Sequence, residues 1–153
     1  MDQSYLIPLI ILGFPIFFGG MWCFVCWLLA NIGGWQRLAA RFPAKSGPPA
    51  GKGYHFQSAQ LGVASYRSTL SLHCTDDGMH FVPMVLFRFA HPPLFIPWRE
   101  MHNARAFRFL WLDVVKLDIG EPKLASIQLP KAVFQGTPLE KGLINHPMNL
   151  NVS

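Results

Sequence analysis

The sequence predicts one N-terminal transmembrane α-helix followed by a mainly antiparallel β domain, a small barrel or sandwich. Two observations support this: a long uncharged apolar run near the N-terminus, and apolar residues that alternate with polar ones after a Pro/Gly-rich break. Hydrophobic residues make up 51% of the chain, and charged residues make up 14%, against about 25% in an average soluble domain. The 153 residues leave room for one domain beyond the anchor.

The apolar run covers residues 5–30 and contains no charge, amide or aliphatic hydroxyl. As a helix it would be roughly 39 Å long, enough to cross a hydrocarbon core of about 30 Å. A buried core helix rarely needs more than about 14 such residues. A cleaved signal peptide would need a basic N-terminal segment and a small-residue cleavage site, and neither is present. We therefore expect residues 1–32 to form a short tail and an uncleaved anchor.

Charge predicts the orientation of the anchor, because basic residues follow the apolar run and none precedes it. The positive-inside rule places the N-terminus outside and the rest of the chain in the cytoplasm. After Lys52 the chain carries nine basic and seven acidic residues, a net charge of +2. That is too small for a nucleic-acid-binding surface, which needs clustered Lys and Arg.

Small residues recur along the anchor at helical spacing. Such a stripe lets membrane helices pack closely, so it predicts a helix-packing face for a membrane-protein partner or a second copy of the chain. The alternative is that small residues are common in any anchor. Two of the four are cysteines, which we interpret as small apolar residues because thiolates are costly in lipid. The stripe consists of Gly19, Cys23, Cys26 and Ala30.

The segment "GGWQRLAARF" follows the anchor and has one apolar and one basic helical face. It predicts an interfacial helix with Trp35 at the lipid headgroups and Arg37, Arg41 and Lys45 near phosphates. The alternative is a plain continuation of the transmembrane helix. "PAKSGPPAGKG" then breaks regular structure and predicts a linker, so residues 33–53 form the juxtamembrane segment.

Residues 54–135 carry the β pattern. In "STLSLHCTDDGMHFVPM" apolar and polar residues alternate around the pair Asp77 and Gly78, a strong hairpin signal. A second hairpin is predicted in "VVKLDIGEPKLASIQLP". Six or seven short strands favour a small antiparallel barrel or sandwich. Residues 136–153 lack periodicity and are predicted as an irregular tail. The further predicted strands are 84–90, 94–98 and 104–109.

The segment "RFAHPPLFIPWRE" places His91 before two prolines, which restrict the backbone and cannot donate to a strand ladder. It predicts a stiff corner between two strands. The alternative is a recognition corner, formed by His91, Pro92, Pro93 and Trp98, that touches lipid or a partner. A general-base role is least favoured, because the sequence has no nucleophile elbow, phosphate loop or paired carboxylates.

Two further groups of residues are candidate sites. His73 and His80 would be diagonal neighbours on one face if Asp77 and Gly78 form a two-residue turn, but no third metal ligand is evident. The run "ARAFRFLWLD", residues 104–113, has two interpretations. Its arginines and tryptophan could face a membrane, or its phenylalanines could be core residues with solvated arginines opposite.

Three segments together resemble the bacterial PH-like and GRAM-like domains: "LHCTDDGMHF", "LFIPWREM" and "VVKLDIGEPKLASIQLP". The anchor, "GGWQRLAARF" and "HPPLFIPW" also resemble a group of small bacterial single-pass membrane proteins. The resemblance implies a PH-like barrel at a bacterial inner (plasma) membrane. The chain departs from that pattern in lacking an obvious amphipathic C-terminal helix.

These observations predict a non-enzymatic interaction or scaffold domain, an accessory subunit of a larger membrane assembly. The alternative is a domain that senses anionic lipid headgroups through Arg37, Arg41, Lys45, Arg105 and Arg108. No cofactor, metal, nucleic acid or small-molecule substrate is expected.

Overall fold

The computed structural model describes residues 3–45, 47 and 52–144, and it consists of two N-terminal helices, a seven-stranded sheet and a short C-terminal helix. Every strand pairing is antiparallel, in the order β4-β3-β2-β1-β7-β6-β5, and the sheet curls into a half-barrel. The predicted fold class is therefore confirmed. The elements are α1 Gln3–Ile32, α2 Trp35–Arg41, β1 Lys52–Leu61, β2 Ala64–Cys74, β3 Gly78–Pro83, β4 Leu94–Pro97, β5 Met101–Phe109, β6 Leu112–Ile119, β7 Ala125–Pro130 and α3 Pro138–Ile144.

Helix α1 is long and apolar enough to cross a membrane, and no other helix of the described residues is. Most of its side chains are exposed, as a lipid-facing helix requires. The exceptions are Cys26 and Ala30, which are buried near its C-terminal end. This end of α1 belongs to the domain core.

Both predicted hairpins are present. In the second, Leu117 pairs with Ile127, and both side chains are buried while their neighbours in sequence are more exposed. Alternation therefore directs one face of these strands to the core. The first and longest strands, β1 and β2, also bend, because Phe56 and Ser68 have positive φ angles of 54° and 52°. The β1–β2 pairing is irregular around the bend, as at a β-bulge, and β1 also pairs with β7 while β2 pairs with β3.

The predicted strand at residues 84–90 is wrong. Its backbone donors bond locally: the Phe87 amide donates to the Met84 carbonyl at 2.9 Å, and the Arg88 amide donates to the Val85 carbonyl at 3.2 Å. The segment is a 3-10 turn, Val85–Phe87, followed by a loop. Continuous apolar composition suggested a strand, but the run lacks the strict alternation of a half-buried strand.

The predicted irregular tail is wrong for residues 138–144, which form α3. The Glu140 carboxylate accepts a hydrogen bond from the Gly136 amide at 2.7 Å, and the Thr137 hydroxyl donates to the Phe134 carbonyl at 2.6 Å. These bonds hold the chain at the start of the helix. Residues 145–153 of that tail, and residues 46 and 48–51 of the predicted linker, lie outside the described residues.

Helix α2 closes one end of the half-barrel. Its Trp35 and Leu38 are each only 1% exposed, and Phe42 follows them into the same core. The expected position of Trp35 at the lipid headgroups is therefore wrong, because the indole is enclosed by the protein. Arg37 and Arg41 remain exposed on the other face of α2.

We predict that Leu72→Ala lowers the free energy of unfolding by about 2–5 kcal/mol, because it leaves a cavity under the fully buried centre of β2. Urea unfolding of the full-length protein in detergent measures it. Leu110→Ala is the matched control: that side chain is 70% exposed, and its loss should change stability by less than about 0.5 kcal/mol. Equal effects would contradict the assigned core.

Candidate functional site

The candidate site is the joint where the anchor meets the β domain. The chain leaves α1 through Gly33 and Gly34, and a Cβ atom at Gly33 would lie 2.7 Å from the Cβ atom of Ala64. Gly34 has a φ angle of 84°, in the left-handed region that glycine adopts at little cost. This close approach and turn direct α2 over the sheet, so α2 is separate from the transmembrane helix.

Three aromatic rings fill the joint. The Trp35 ring lies 5.5 Å from Tyr66 and 5.3 Å from His91, and the last two are 5.2 Å apart, centroid to centroid. Tyr66 Oη and His91 Nε2 are joined by a hydrogen bond of 2.9 Å. Both side chains are buried, His91 to 1% exposure. The trio links α2, β2 and the β3–β4 connection.

Two side chains of α2 also hold the backbone of the β3–β4 connection. The Trp35 indole donates from Nε1 to the Pro92 carbonyl at 3.0 Å, and the Gln36 amide donates to the Ala90 carbonyl at 2.6 Å. These bonds span more than fifty residues of sequence. They fix α2, and therefore the end of α1, against this connection.

The electrostatics of the joint favour neutral side chains. Burial raises the pKa of Tyr66 and lowers the pKa of His91, although a hydrogen bond with the Phe87 backbone opposes the shift at His91. In the described residues no Ser, Asp or Glu side chain bonds to the Tyr66–His91 pair. The pair therefore has the features of a packed connection.

The residues of the predicted recognition corner do not form one surface. His91 is inside the joint, while Pro92 and Pro93 are half-buried. Trp98 lies beyond the other end of β4, where its Nε1 donates to the Thr75 carbonyl at 2.9 Å and supports the β2–β3 turn. The sequence placed these side chains together only because they are close along the chain.

The small-residue stripe is divided between two environments. Cys26 and Ala30 pack into the chain's own β domain, whereas Gly19 and Cys23 are exposed higher on α1. The β domain thus covers only the C-terminal half of the stripe, Cys26 and Ala30. Lys45 is exposed, as are Arg37 and Arg41.

His73 and His80 lie directly opposite each other across β2 and β3, so their prediction as diagonal neighbours is wrong. The turn comprises residues 75–77, because the Thr75 amide donates to the carbonyl of Gly78, the first residue of β3. His55 joins them, with its ring 5.8 Å from that of His73. Burial lowers the pKa of His73 and of His80, and each is lowered further by a neighbouring histidine. Across the described ranges, no group of three His, Cys, Asp or Glu side chains could hold a metal ion.

A second feature is an exposed hairpin tip between β5 and β6. Four consecutive large apolar residues point outward there: Phe109, Leu110, Trp111 and Leu112 are 61%, 70%, 82% and 56% exposed. Phe109 is therefore not a core residue. Beside the tip lies an open hollow of about 520 Å³, lined in part by Trp111, Phe134 and Glu140.

The chain has no significant match among protein-family models, curated proteins or solved structures. Its function is therefore inferred from its own geometry. The sequence did not single out Tyr66, because no motif or spacing pairs it with His91. The apolar residues of the hairpin tip are evident in the sequence as "FLWL", but the residues that lie beside the tip are not.

We predict that Tyr66→Phe lowers the free energy of unfolding by about 1–3 kcal/mol, because His91 Nε2 stays buried and loses its partner. The double variant Tyr66→Phe/His91→Leu removes both polar groups. Its loss of unfolding free energy should differ from the sum of the losses in the two single variants. Urea unfolding in detergent measures both. Wild-type stability in Tyr66→Phe would rule out the buried bond.

We also predict that stability falls as the pH drops below about 6.5, the ordinary pKa of histidine. Because His73, His80 and His91 have lowered pKa values in the folded chain, the unfolded chain binds protons first. The stability that the neutral histidines contribute is fully present above this pH. It declines as the pH falls, until the pH reaches the lowered pKa values of the folded chain. Each histidine contributes at most about 1.4 kcal/mol per pH unit. His91→Leu should reduce the slope, and a flat profile between about pH 7 and pH 5 would contradict the prediction.

Proposed function

We propose that the protein is a membrane-anchored, non-enzymatic interaction module that holds a partner of a larger assembly against the membrane. The N-terminus lies outside and the β domain lies on the cytoplasmic side of a bacterial inner membrane. The observation that carries the proposal is the exposed apolar hairpin tip on a domain that is packed directly onto its anchor.

Rigid attachment supports this role. Cys26 and Ala30 of α1 share the core with Trp35 and Leu38 of α2. Cleavage after α1 would remove part of that core, which favours a permanent anchor over a signal sequence. A domain packed onto its anchor presents its surfaces in one orientation to the membrane, as a scaffold requires.

The hairpin tip defines the chemistry of the partner. Four exposed apolar side chains in sequence exceed the scattered apolar exposure of ordinary surfaces. Arg105 and Lys116 are exposed and paired across β5 and β6 on the same hairpin. A protein with an apolar pocket bordered by carboxylates would complement both features.

Anionic-lipid sensing is a second candidate, favoured by the exposure of Arg37, Arg41 and Lys45 directly after the anchor. Each would add roughly 1 kcal/mol of attraction to an anionic surface. Arg108 is partly engaged, because its Nε donates to Asp113 at 3.1 Å. The PH-like or GRAM-like family likewise remains a proposal, supported by the curled antiparallel sheet.

We predict that the full-length protein, purified in mild detergent, carries a stoichiometric membrane partner identified by mass spectrometry. The double variant Leu110→Ser/Trp111→Ser should lose that partner, because the apolar contact is removed from the tip. Expression, membrane insertion and unfolding should be unchanged.

Val63→Ser is the matched control, because Val63 is 75% exposed in the turn between β1 and β2. It should retain the partner. Equal recovery of the partner with both variants would exclude the hairpin tip as its contact site. A lone protein that retains anionic lipid, and loses it in Arg37→Gln/Arg41→Gln, would instead favour lipid sensing.

A further inference from the structure

A second apolar surface lies in the β3–β4 connection. We call residues 84–89 the apolar loop. Its exposed large side chains are Met84 at 40%, Val85 at 74%, Leu86 at 65% and Phe89 at 57%. They lie in a different connection from the hairpin tip and are not used in the proposed partner contact.

The apolar loop is held beside the anchor helix. The Phe87 ring lies 5.5 Å from the Trp22 ring of α1, centroid to centroid. Below this contact, the His91 amide donates to the Phe87 carbonyl at 2.9 Å, and Gln36 binds the Ala90 carbonyl. These contacts fix the apolar loop to α1 and to the joint.

The depth of Trp22 along α1 decides what surrounds the loop. About twenty helical residues cross a hydrocarbon core. Counted from Tyr5, the first residue of the uncharged apolar run, they end near Phe24, two residues beyond Trp22. If α1 crosses the membrane, Phe87 is at the inner boundary of the hydrocarbon.

We propose that the apolar loop inserts into the leaflet on the domain's side of the membrane and is a second contact with the bilayer. Its occupant is the acyl-chain region next to α1, where Val85, Leu86 and Phe89 meet lipid. The proposal extends the anchored role: the β domain is held to the membrane at two points and cannot swing about the end of α1.

The backbone of the apolar loop suits this position. The Phe87, Arg88 and Ala90 amides donate to carbonyls of the loop, so part of its backbone is paired internally. Backbone groups left unpaired would be costly in lipid. Arg88 is exposed and its Nε donates to the Pro83 carbonyl at 3.1 Å, so the charged group lies at the protein side of the loop. There it can reach phosphates while its stem contacts apolar groups.

The test is photocrosslinking of the full-length protein in vesicles of phosphatidylethanolamine and phosphatidylglycerol. A benzophenone amino acid is incorporated singly at position 86 in the loop, at position 17 in α1, or at position 123, where Lys123 is exposed. Mass spectrometry counts protein–phospholipid adducts. We expect about tenfold more adduct at position 86 than at position 123, at a level close to that of position 17.

Each outcome decides the proposal. Adducts at position 17 without adducts at position 86 would leave the anchor in place and overturn the loop insertion. Absence of lipid adducts at both position 17 and position 86 would overturn the anchored role and the loop insertion together. Crosslinks from position 86 to a protein in native membranes, with none to lipid in the vesicles, would assign the loop to a partner instead.

A matched pair of substitutions gives an independent reading. Leu86→Asp places a charge on the loop and should reduce lipid adducts at a crosslinker in position 85 about tenfold. Val63→Asp makes the same change at a similarly exposed position in the turn between β1 and β2, outside both apolar surfaces, and it should leave those adducts unchanged. Equal effects of the two would overturn the proposal.

Discussion

The packing of the Trp35 indole into the β domain is the contact on which the rest of the structure depends. Trp35 follows the anchor by three residues, and its ring is enclosed by Tyr66 and His91 while its Nε1 binds the Pro92 carbonyl. The contact fixes the end of α1 and closes one end of the half-barrel. It also places the β3–β4 connection beside the anchor, at the level of Trp22. The anchor, the sheet and the apolar loop thus share one point of attachment.

Local signals accounted for the parts of the fold that the sequence predicted. The anchor follows from length and the absence of charge in residues 5–30. The hairpins follow from alternation that places Leu117 and Ile127 on one face, around a turn that contains Gly120. The start of α3 was not predicted, although the Thr-x-x-Glu pattern of Thr137 and Glu140 is a local signal for a helix N-terminus.

The rest depended on contacts between distant residues. Amphipathicity shows that one face of α2 is buried, but lipid and a protein core give the same pattern, and here Trp35 and Leu38 face the core. Tyr66 and His91 are separated by 25 residues, and no spacing rule pairs them. In residues 84–89 the apolar composition resembled a buried strand, although Val85 and Leu86 are exposed. The type of a residue indicates whether it prefers to be buried. Which residues it then contacts depends on how the whole chain folds.

The separation of 57 residues between Trp35 and Pro92 also determines when the domain can form. At about 5–20 residues per second, Trp35 leaves the ribosome roughly 3–11 s before Pro92 does. During that time the anchor can enter a membrane while the groups that enclose its inner end have not been made. The strand β7 that pairs with β1 arrives later still. A nascent chain whose α1 inserts during that time would finish folding its domain core next to the bilayer.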